Sequence, residues 1–415
     1  MEPIDIPKII EEIDQMGMRK WLILEFTRSF REARKNKLRT FNEHSYDVFW
    51  DANIIKLVDA VMERYYQPSS SISFVVFDPM IREIFAAPFV DRVVHHFLYH
   101  MNGGWWDKRF IDDSYSCRVG KGTQYGVKRV HNMMMRASRN FTQPATIIKL
   151  DIKGYFMSMP REKLYARVKW GLEQQFRPFF GSSAAYELYK LCCYLWRQVL
   201  MDNPIVKSRR RGPMYHWDVL PVEKSLYTRP YGQGIVIGNL TSQLVSNIYL
   251  DQLDRFVKYT LGYKYYGRYV DDFIMIVPEN ECERAKKDIE RIRAFLSDEL
   301  CLTLHPKKCY IQPVSRGVQF LGTRIYPHCL YPSNRLQRKF KTMLYNTVTG
   351  KTATDTTVSY FGFLVHMDAD RFVEKMFAKY GVDFDLYLES KSAFRRPWLS
   401  IVDDMRNNGV RTDAD

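Results

Sequence analysis

No stretch of this sequence approaches the ~18–20 uncharged apolar residues that a membrane-spanning helix requires; its apolar side chains are scattered among charges. The opening, Met1-Glu2-Pro3-Ile4-Asp5, is acidic and lacks the basic-then-apolar build of a secretion signal. Cysteine is sparse. There are seven, an odd number, with Cys192 and Cys193 adjacent and no pair of C-x-x-C clusters. That excludes a disulfide framework and argues against structural zinc, so Cys117, Cys282, Cys301, Cys309 and Cys329 read as small core or surface residues in a reducing compartment. Internal repeats and low-complexity tracts are absent as well. These absences lead us to expect a soluble, cytoplasmic protein with no membrane partner.

What is present is a large apolar fraction, 46%, with 15% aromatic residues, enough to build a sizeable core and to exclude wholesale disorder. A length of 415 residues predicts two to three domains at ~100–200 residues each. Basic side chains exceed acidic ones, 62 to 47, for a net charge of +15.

The excess is clustered. Between Arg19 and Thr40 stand Arg19, Lys20, Arg28, Arg31, Arg34, Lys35, Lys37 and Arg39 against only Glu25 and Glu32. From Ser114 to Leu150 run Arg118, Lys121, Lys128, Arg129, Arg136, Arg139 and Lys149 with no acidic residue. A third group, Lys207 with Arg209, Arg210 and Arg211, lies in a segment broken by Pro204, Pro213, Pro221 and Pro230. One such cluster keeps a surface solvated. Three, interleaved with Tyr, Trp and Phe, point to a partner with a phosphate backbone.

Apolar periodicity predicts helices over Ile9 to Ala33, Phe49 to Tyr66, Val90 to Met101, Arg161 to Val199, Thr241 to Thr260 and Glu281 to Leu300. Ile72 to Asp78 and Ile81 to Phe85 read as a strand pair around Pro79; Thr146 to Asp151 and two runs around Asp271-Asp272 read as further strands. Beyond Tyr326-Pro327 the texture becomes helical with Thr/Ser-rich breaks. The class is α+β.

Two strand-associated carboxylate sites carry the chemistry: Asp151, closing Thr-Ile-Ile-Lys-Leu-Asp, and Asp271-Asp272, inside Tyr-Val-Asp-Asp-Phe-Ile-Met-Ile-Val. A carboxylate at the edge of a buried strand is costly unless it is paired or bound to a cation. Three from neighbouring strands supply the hard oxygen ligands that Mg²⁺ prefers. Two such ions ~3.5–4 Å apart serve in-line displacement at phosphorus. The other acidic pairs, Asp112-Asp113 and Asp403-Asp404, lack flanking strands and read as solvated. Gly120-Lys121-Gly122-Thr123 falls short of a phosphate-loop pattern, His96 and His100 lack the glutamate of a zinc protease helix, and Met133-Met134-Met135 reads as packing.

Tyr269-Val270-Asp271-Asp272 resembles the Y-x-D-D hairpin of reverse transcriptases, and Asp151-Ile152-Lys153-Gly154-Tyr155-Phe156 resembles their first catalytic-aspartate motif. Further landmarks follow the family's order: Phe77 to Glu83, Arg118 to Thr123, Ile237 to Gln243, Lys307-Lys308 and Phe320-Leu321-Gly322. The resemblance implies a right-hand polymerase fold with fingers over residues 1–145 including an N-terminal helical extension, a palm over 146–326 with a basic insertion near 175–230, and a helical thumb over 327–415. It implies RNA-directed DNA synthesis, with Asp151, Asp271 and Asp272 catalytic and, together with Ile152, holding two Mg²⁺ ions for which Mn²⁺ can substitute. Lys308 resembles the proton donor to pyrophosphate, with Lys307 a rival by position. Phe156 resembles the aromatic gate that rejects a 2′-hydroxyl. Arg82, Arg118 and Lys121 are candidates for the triphosphate, and Ile237, Gly238, Ser242 and Gln243 for the nucleotide and template side. Gly238 would permit close backbone approach there, and a Ser or Thr would cap the helix that follows. Arg34, Lys35, Lys37, Arg39, Lys207, Arg209, Arg210 and Arg211 are candidates for nucleic-acid contact.

Ile237, where many reverse transcriptases have Gln, and Ser242-Gln243, where they have Ser-Pro, make the chain most similar to the bacterial enzymes of diversity-generating retroelements. Those are related to group II intron-like and defence-associated reverse transcriptases. The first kinship implies error-prone copying of a structured RNA with a helical accessory protein. The defence-associated alternative implies a dedicated noncoding RNA. A non-catalytic RNA-binding protein on the same fold is the remaining alternative, one that loss of any of the three aspartates would have favoured. Template RNA, nascent cDNA and deoxynucleoside triphosphates are the expected partners. No ribonuclease H or HNH-type segment is recognisable.

Overall fold

The computed structural model describes residues 2–35, 49–78, 80–351, 354–385 and 387–388. Lys37, Arg39 and the Asp403-Asp404 pair lie outside them. The chain forms two compact units. One comprises Met1–Gly120, Leu150–Phe273 and Lys286–Cys309; the other comprises Lys121–Lys149, Ile274–Ala285 and Tyr310–Asp415.

The first unit begins with helices Ile6–Met16 and Met18–Arg34, where the periodicity predicts one. Gly17, at φ +84°, closes the first and opens the second, a conformation that costs a side-chain-bearing residue far more. Helix Trp50–Met62 and the long helix Phe89–Arg109 pack against Met18–Arg34, with Phe26 stacked on Phe97 at 4.6 Å. The expected strand pair is present as β1 (Ile72–Val76) and β2 (Arg82–Ala86), antiparallel with Phe74 opposite Ile84.

The expected helix from Arg161 to Val199 divides into Arg161–Phe176 and Ser183–Met201. Pro178 lacks the amide that a continuing helix needs, and Ser182 caps the second helix by accepting from the Ala185 amide at 3.3 Å. Buried Asn102, Gln175 and Trp196 satisfy one another across this layer, with Asn102 donating to Gln175 at 2.7 Å and accepting from the Trp196 indole at 2.7 Å. Helix Leu240–Arg255 is buried on most of its circumference, which is the environment of a central helix. Among the buried polar groups on it, Asp251 pairs through one carboxylate oxygen with Arg167 and Arg255, and Asn247 donates to the Ser116 carbonyl at 2.8 Å. The segment joining these helices holds short helical turns and a two-residue strand, β4 (Arg209–Arg210), parallel to β1.

Three elements cross from one unit to the other along the chain: β3 (Ala145–Asp151), β6 (Asp272–Pro278) and the helix Cys282–Asp298. The first unit also contains β5 (Tyr266–Tyr269). In the second unit β3 pairs antiparallel with β7 (Tyr310–Pro313), Ile148 opposite Ile311. A separate sheet there has the order β10-β9-β8, made of β8 (Val318–Phe320), β9 (Thr323–Ile325) and β10 (Leu330–Pro332). Helices Asn334–Val348, Thr354–Leu364 and Asp370–Tyr380 follow, with Phe340, Leu344, Phe361 and Phe377 at the centre of their own core.

Gly171 offers a test of the helix layer. A Cβ there would sit 2.3 Å from Cζ2 of the fully buried Trp106. Alanine stabilises an open helix position by about 1 kcal/mol relative to glycine, but overlap with a fixed indole reverses that sign. We expect Gly171→Ala to destabilise the chain by ~2 kcal/mol, read as a lowered Tm in calorimetry.

Candidate active site

Asp151 stands at the end of β3, and Asp271 and Asp272 stand at the turn from β5 into β6. The Ile152 amide donates to the Asp271 carbonyl at 3.1 Å, tying the two acidic segments together through the backbone. On the other side, the Lys153 amide donates to the Thr303 carbonyl and the His305 amide to the Asp151 carbonyl, both at 2.8 Å. The Leu302-Thr303-Leu304 run is held by one antiparallel bridge, Ile152 to Leu304. This ladder delivers Lys308, whose Nζ donates to both Asp151 carboxylate oxygens at 3.1 Å. Lys307 is exposed, and its amide donates to His305 Nδ1.

The turn bearing Asp271 is strained. Val270 sits at φ +55°, a left-handed conformation that β-branched residues avoid at a cost on the order of 1–3 kcal/mol. Arg268 holds it there. Its guanidinium donates to the Val270 carbonyl at 3.0 Å, to both oxygens of Asp254 at 2.7 Å and to Ser114 Oγ at 3.2 Å. Tyr266 donates to the same Asp254 at 2.7 Å, and both members of the ion pair have 0% exposed side chains. Burial pulls the Arg268 pKa down, and Asp254 more than reverses that, so the guanidinium keeps its charge. Gly267 clears the space: a Cβ would meet Tyr115 Oη at 2.3 Å.

Burial, then the charge of Asp151, push the Asp271 carboxyl up to about 6; Asp272 adds to the shift, while a backbone hydrogen bond and Lys308 oppose it. The site is therefore short of positive charge. Among the described residues no three His, Cys, Asp or Glu side chains already converge at the spacing of a bound metal ion. The donors nonetheless fit magnesium: they are hard carboxylate oxygens whose mutual repulsion a divalent cation would relieve.

Other expected residues fall in several places. Arg82 lies on β2 close enough to lower the Tyr269 pKa against a rise caused mainly by burial. Phe156 is half-buried in the turn Tyr155–Ser158, with its carbonyl accepting from the Ile235 amide at 2.9 Å. The Ile237 carbonyl accepts from the Phe85 amide at 3.0 Å, and a Cβ on Gly238 (φ +124°) would lie 3.1 Å from the Phe85 carbonyl oxygen. The glycine thus permits close approach to β2 of this same chain. Ser242 is buried and Gln243 exposed. The capping expectation is corrected: Asn239 occupies the N-cap with no side-chain hydrogen bond, and Thr241 lies inside the helix, bonded to His95 at 3.0 Å.

Arg118 is also corrected. Its side chain is 7% exposed and its donors are consumed by the Asp107 carboxylate at 2.6 Å and by the carbonyls of Asp107, Ile111 and Ser114. Four of its five N–H donors are spent bracing a loop, which leaves one at most for a triphosphate. Asp113, expected to be solvated, is buried and engages Lys258 and the Tyr115 hydroxyl. Lys121 begins the second unit and lies over the Tyr125 ring at 5.2 Å. Arg34 ends its helix, Lys35 pairs with Glu32 at 2.7 Å, and Lys207 approaches Asp202 at 3.5 Å. Arg268 and Asp254 escaped sequence reasoning; for Arg268 a charge in the apolar setting of β5, directly before Tyr269, was the available signal.

The Asp271 shift sets a pH test. A carboxyl whose pKa is higher in the folded than in the unfolded state contributes stability below the unfolded value, ~3.8, that is lost as pH rises through about 6. In chelator, Asp271→Asn is expected to raise Tm by about 2–5 °C above pH 7, with the gain shrinking toward pH 4. A gain independent of pH in calorimetry would refute this.

A model of the family described as "Reverse transcriptase (RNA-dependent DNA polymerase)" matches residues 90–325, more than half of the chain. Among curated proteins, no sequence matches. Solved structures similar to the chain include telomerase from Candida albicans in complex with a TWJ fragment of telomeric RNA (10% identity, TM-score 0.43, 88% of this chain and 66% of that one). Another is apo telomerase from Candida tropicalis (11% identity, TM-score 0.44, 82% of this chain and 62% of that one). The chain thus spans slightly under two thirds of these structures' length. With an α+β right-hand polymerase fold and the match covering both aspartate segments, the chain belongs to the reverse transcriptase family, the RNA-directed DNA polymerases.

Proposed function

We propose that the chain copies a structured RNA into cDNA at the Asp151, Asp271 and Asp272 site, as in a diversity-generating retroelement. The observation that carries the catalytic reading is the meeting of the three aspartates' segments with Lys308, whose Nζ lies 3.1 Å from both oxygens of Asp151. Asp151, Asp271, Asp272 and the Ile152 carbonyl would hold two Mg²⁺ ions. When bound, these supply charge neutralisation at the attacking 3′-hydroxyl and the departing pyrophosphate. The primer 3′-hydroxyl loses its proton to water as its oxygen bonds to the deoxynucleotide α-phosphorus and the bond to pyrophosphate breaks. Arg82 offsets triphosphate charge. Lys308, leaving Asp151, gives its proton to the pyrophosphate. Phe156 closes the space a ribose 2′-hydroxyl would need.

Ile237 supports the error-prone reading. It is an aliphatic side chain packed beside Phe85, Met157 and Leu226 where an amide would offer a hydrogen bond. Loss of that group weakens discrimination at the templating pair. Faithful copying of a companion noncoding RNA for defence is the competing role, and the basic segment at Lys207 to Arg211 is the observation that favours it.

Sequencing cDNA co-purified with the wild-type chain and with Asp271→Ala/Asp272→Ala tests both. We expect cDNA from wild type alone, with substitutions concentrated at template adenines. Faithful or repetitive cDNA would assign the defence role, and no cDNA from either, even with added RNA, primer and Mg²⁺, would refute polymerisation. Phe156→Ala is expected to raise ribonucleotide incorporation by about 10-fold or more in primer extension, since a missing steric clash is worth a few kcal/mol.

A further inference from the structure

The segment between helices Ser183–Met201 and Leu240–Arg255 is built into the β1–β2 sheet. β4 pairs in parallel with β1, Ile72 opposite Arg209 and Ser73 opposite Arg210, and the Arg211 amide extends the ladder to the Ser73 carbonyl at 2.8 Å. The sheet order is β2-β1-β4. Behind it, Glu83 of β2, 0% exposed, accepts from the Trp217 indole at 3.0 Å, Ser225 Oγ at 3.1 Å and the Leu226 amide at 2.7 Å. Burial raises the Glu83 pKa and those three bonds work against the rise.

Opposed residues on neighbouring strands share a face, and successive residues alternate. Ser73, Glu83 and Phe85 define the buried face. Arg210, opposite Ser73, turns to that side, where its guanidinium lies 4.0 Å from the Tyr227 ring and 5.3 Å from Trp217, although the residue itself stays exposed. The other face joins Arg82, opposite Val76, to Arg209, opposite Ile72, with Arg211 on the same side by alternation. Among the described residues none of these three arginines forms an ion pair or side-chain hydrogen bond, and Arg209 and Arg211 are exposed. Half-buried apolar side chains, Ile72, Phe74 and Ile84, lie among them.

We propose that Arg209 and Arg211 are phosphate contacts for single-stranded template RNA, continuing on β4 the basic face that Arg82 begins beside Tyr269. This rests on the polymerase reading for the word template, and on the sheet register for the site. Ile72 and Val76 are four residues apart, about 13 Å along a strand. The row from Arg82 to Arg209 is therefore longer than one triphosphate and suits a polyanion. An apolar strip between cations suits unpaired bases, whose faces can stack where a duplex would hide them.

The test measures fluorescence anisotropy of a labelled, unstructured RNA oligonucleotide on the full chain across KCl concentrations, without nucleotides. Arg209→Ala/Arg211→Ala is expected to weaken binding about 10-fold and to reduce the slope of log K against log[salt] by about 1.4, two contacts at ~0.7 each. Arg210→Ala is expected to lower Tm and leave that slope in place. An unchanged slope in the double variant overturns the proposal. So does equal loss on an RNA duplex, or a raised deoxynucleotide KM with RNA binding intact. Should the double variant fold poorly, Arg209→Gln/Arg211→Gln gives the same readings. Asp271→Asn/Asp272→Asn separates the two questions. The expected slope loss in a chain whose wild type makes no cDNA would refute the polymerase and keep the site.

Discussion

A guanidinium with no exposed surface holds the turn that carries Asp271. Arg268 and Asp254 are fully buried, and such a pair is weak evidence for stability, since two desolvated ions roughly cancel their own attraction. Its value lies in geometry. The planar fork of Arg268 meets two carboxylate oxygens and still reaches the Val270 carbonyl, so the residue ahead of Asp271 is fixed from behind in a conformation valine resists. The same side chain touches Ser114, and its backbone exchanges hydrogen bonds with Asp113 and Tyr115. Three segments distant in sequence thus agree on where one turn lies. A lysine carries the same charge and cannot make that set of contacts.

Rigidity of that kind is what an acidic cluster demands. Asp151 and Asp271 repel each other, and a flexible turn would relax by moving them apart. Held in place, burial and then this repulsion raise the proton affinity of Asp271, and Lys308 grips Asp151. The site stores an unfavourable charge arrangement that a cation, or the protons that replace it, can relieve. Stability given up at a site in this way is the usual companion of function.

The carboxylates were legible in the sequence because each breaks an apolar, β-branched run where a charge has no reason to be. Lys308 entered through the reverse-transcriptase resemblance, with Lys307 a rival by position; which of the two meets Asp151 depends on a single bridge, Ile152 to Leu304, that has no strand signal. Arg118 was misread because a basic loop has the same composition whether its guanidinium faces phosphate or is spent on local carbonyls. Gly17 and Pro178 split two predicted helices, and both residues were visible; the apolar period running through them outweighed the signal. β4 had no signal at all. Two arginines in a proline-broken segment carry no strand propensity, and their pairing is imposed by β1 and by Glu83 beneath it.

Glu83 and Arg82 show how much one residue of register decides. They are adjacent on β2, and alternation sends one inward to hold the inserted segment and the other to the face that approaches Tyr269. A one-residue slip would bury the arginine against Trp217 and expose the carboxylate on the face that Arg209 shares. The three hydrogen bonds to Glu83 therefore fix the sign of charge on that face as well as the position of the insertion. On the other edge of the sheet, the Ile237 carbonyl bonds the Phe85 amide and Gly238 approaches the Phe85 carbonyl closely enough to crowd a Cβ. The two edges constrain a single sheet, so a change in the register of β4 against β1 and a change at Gly238 would act on the same strand pair, and through Arg82 on the same turn.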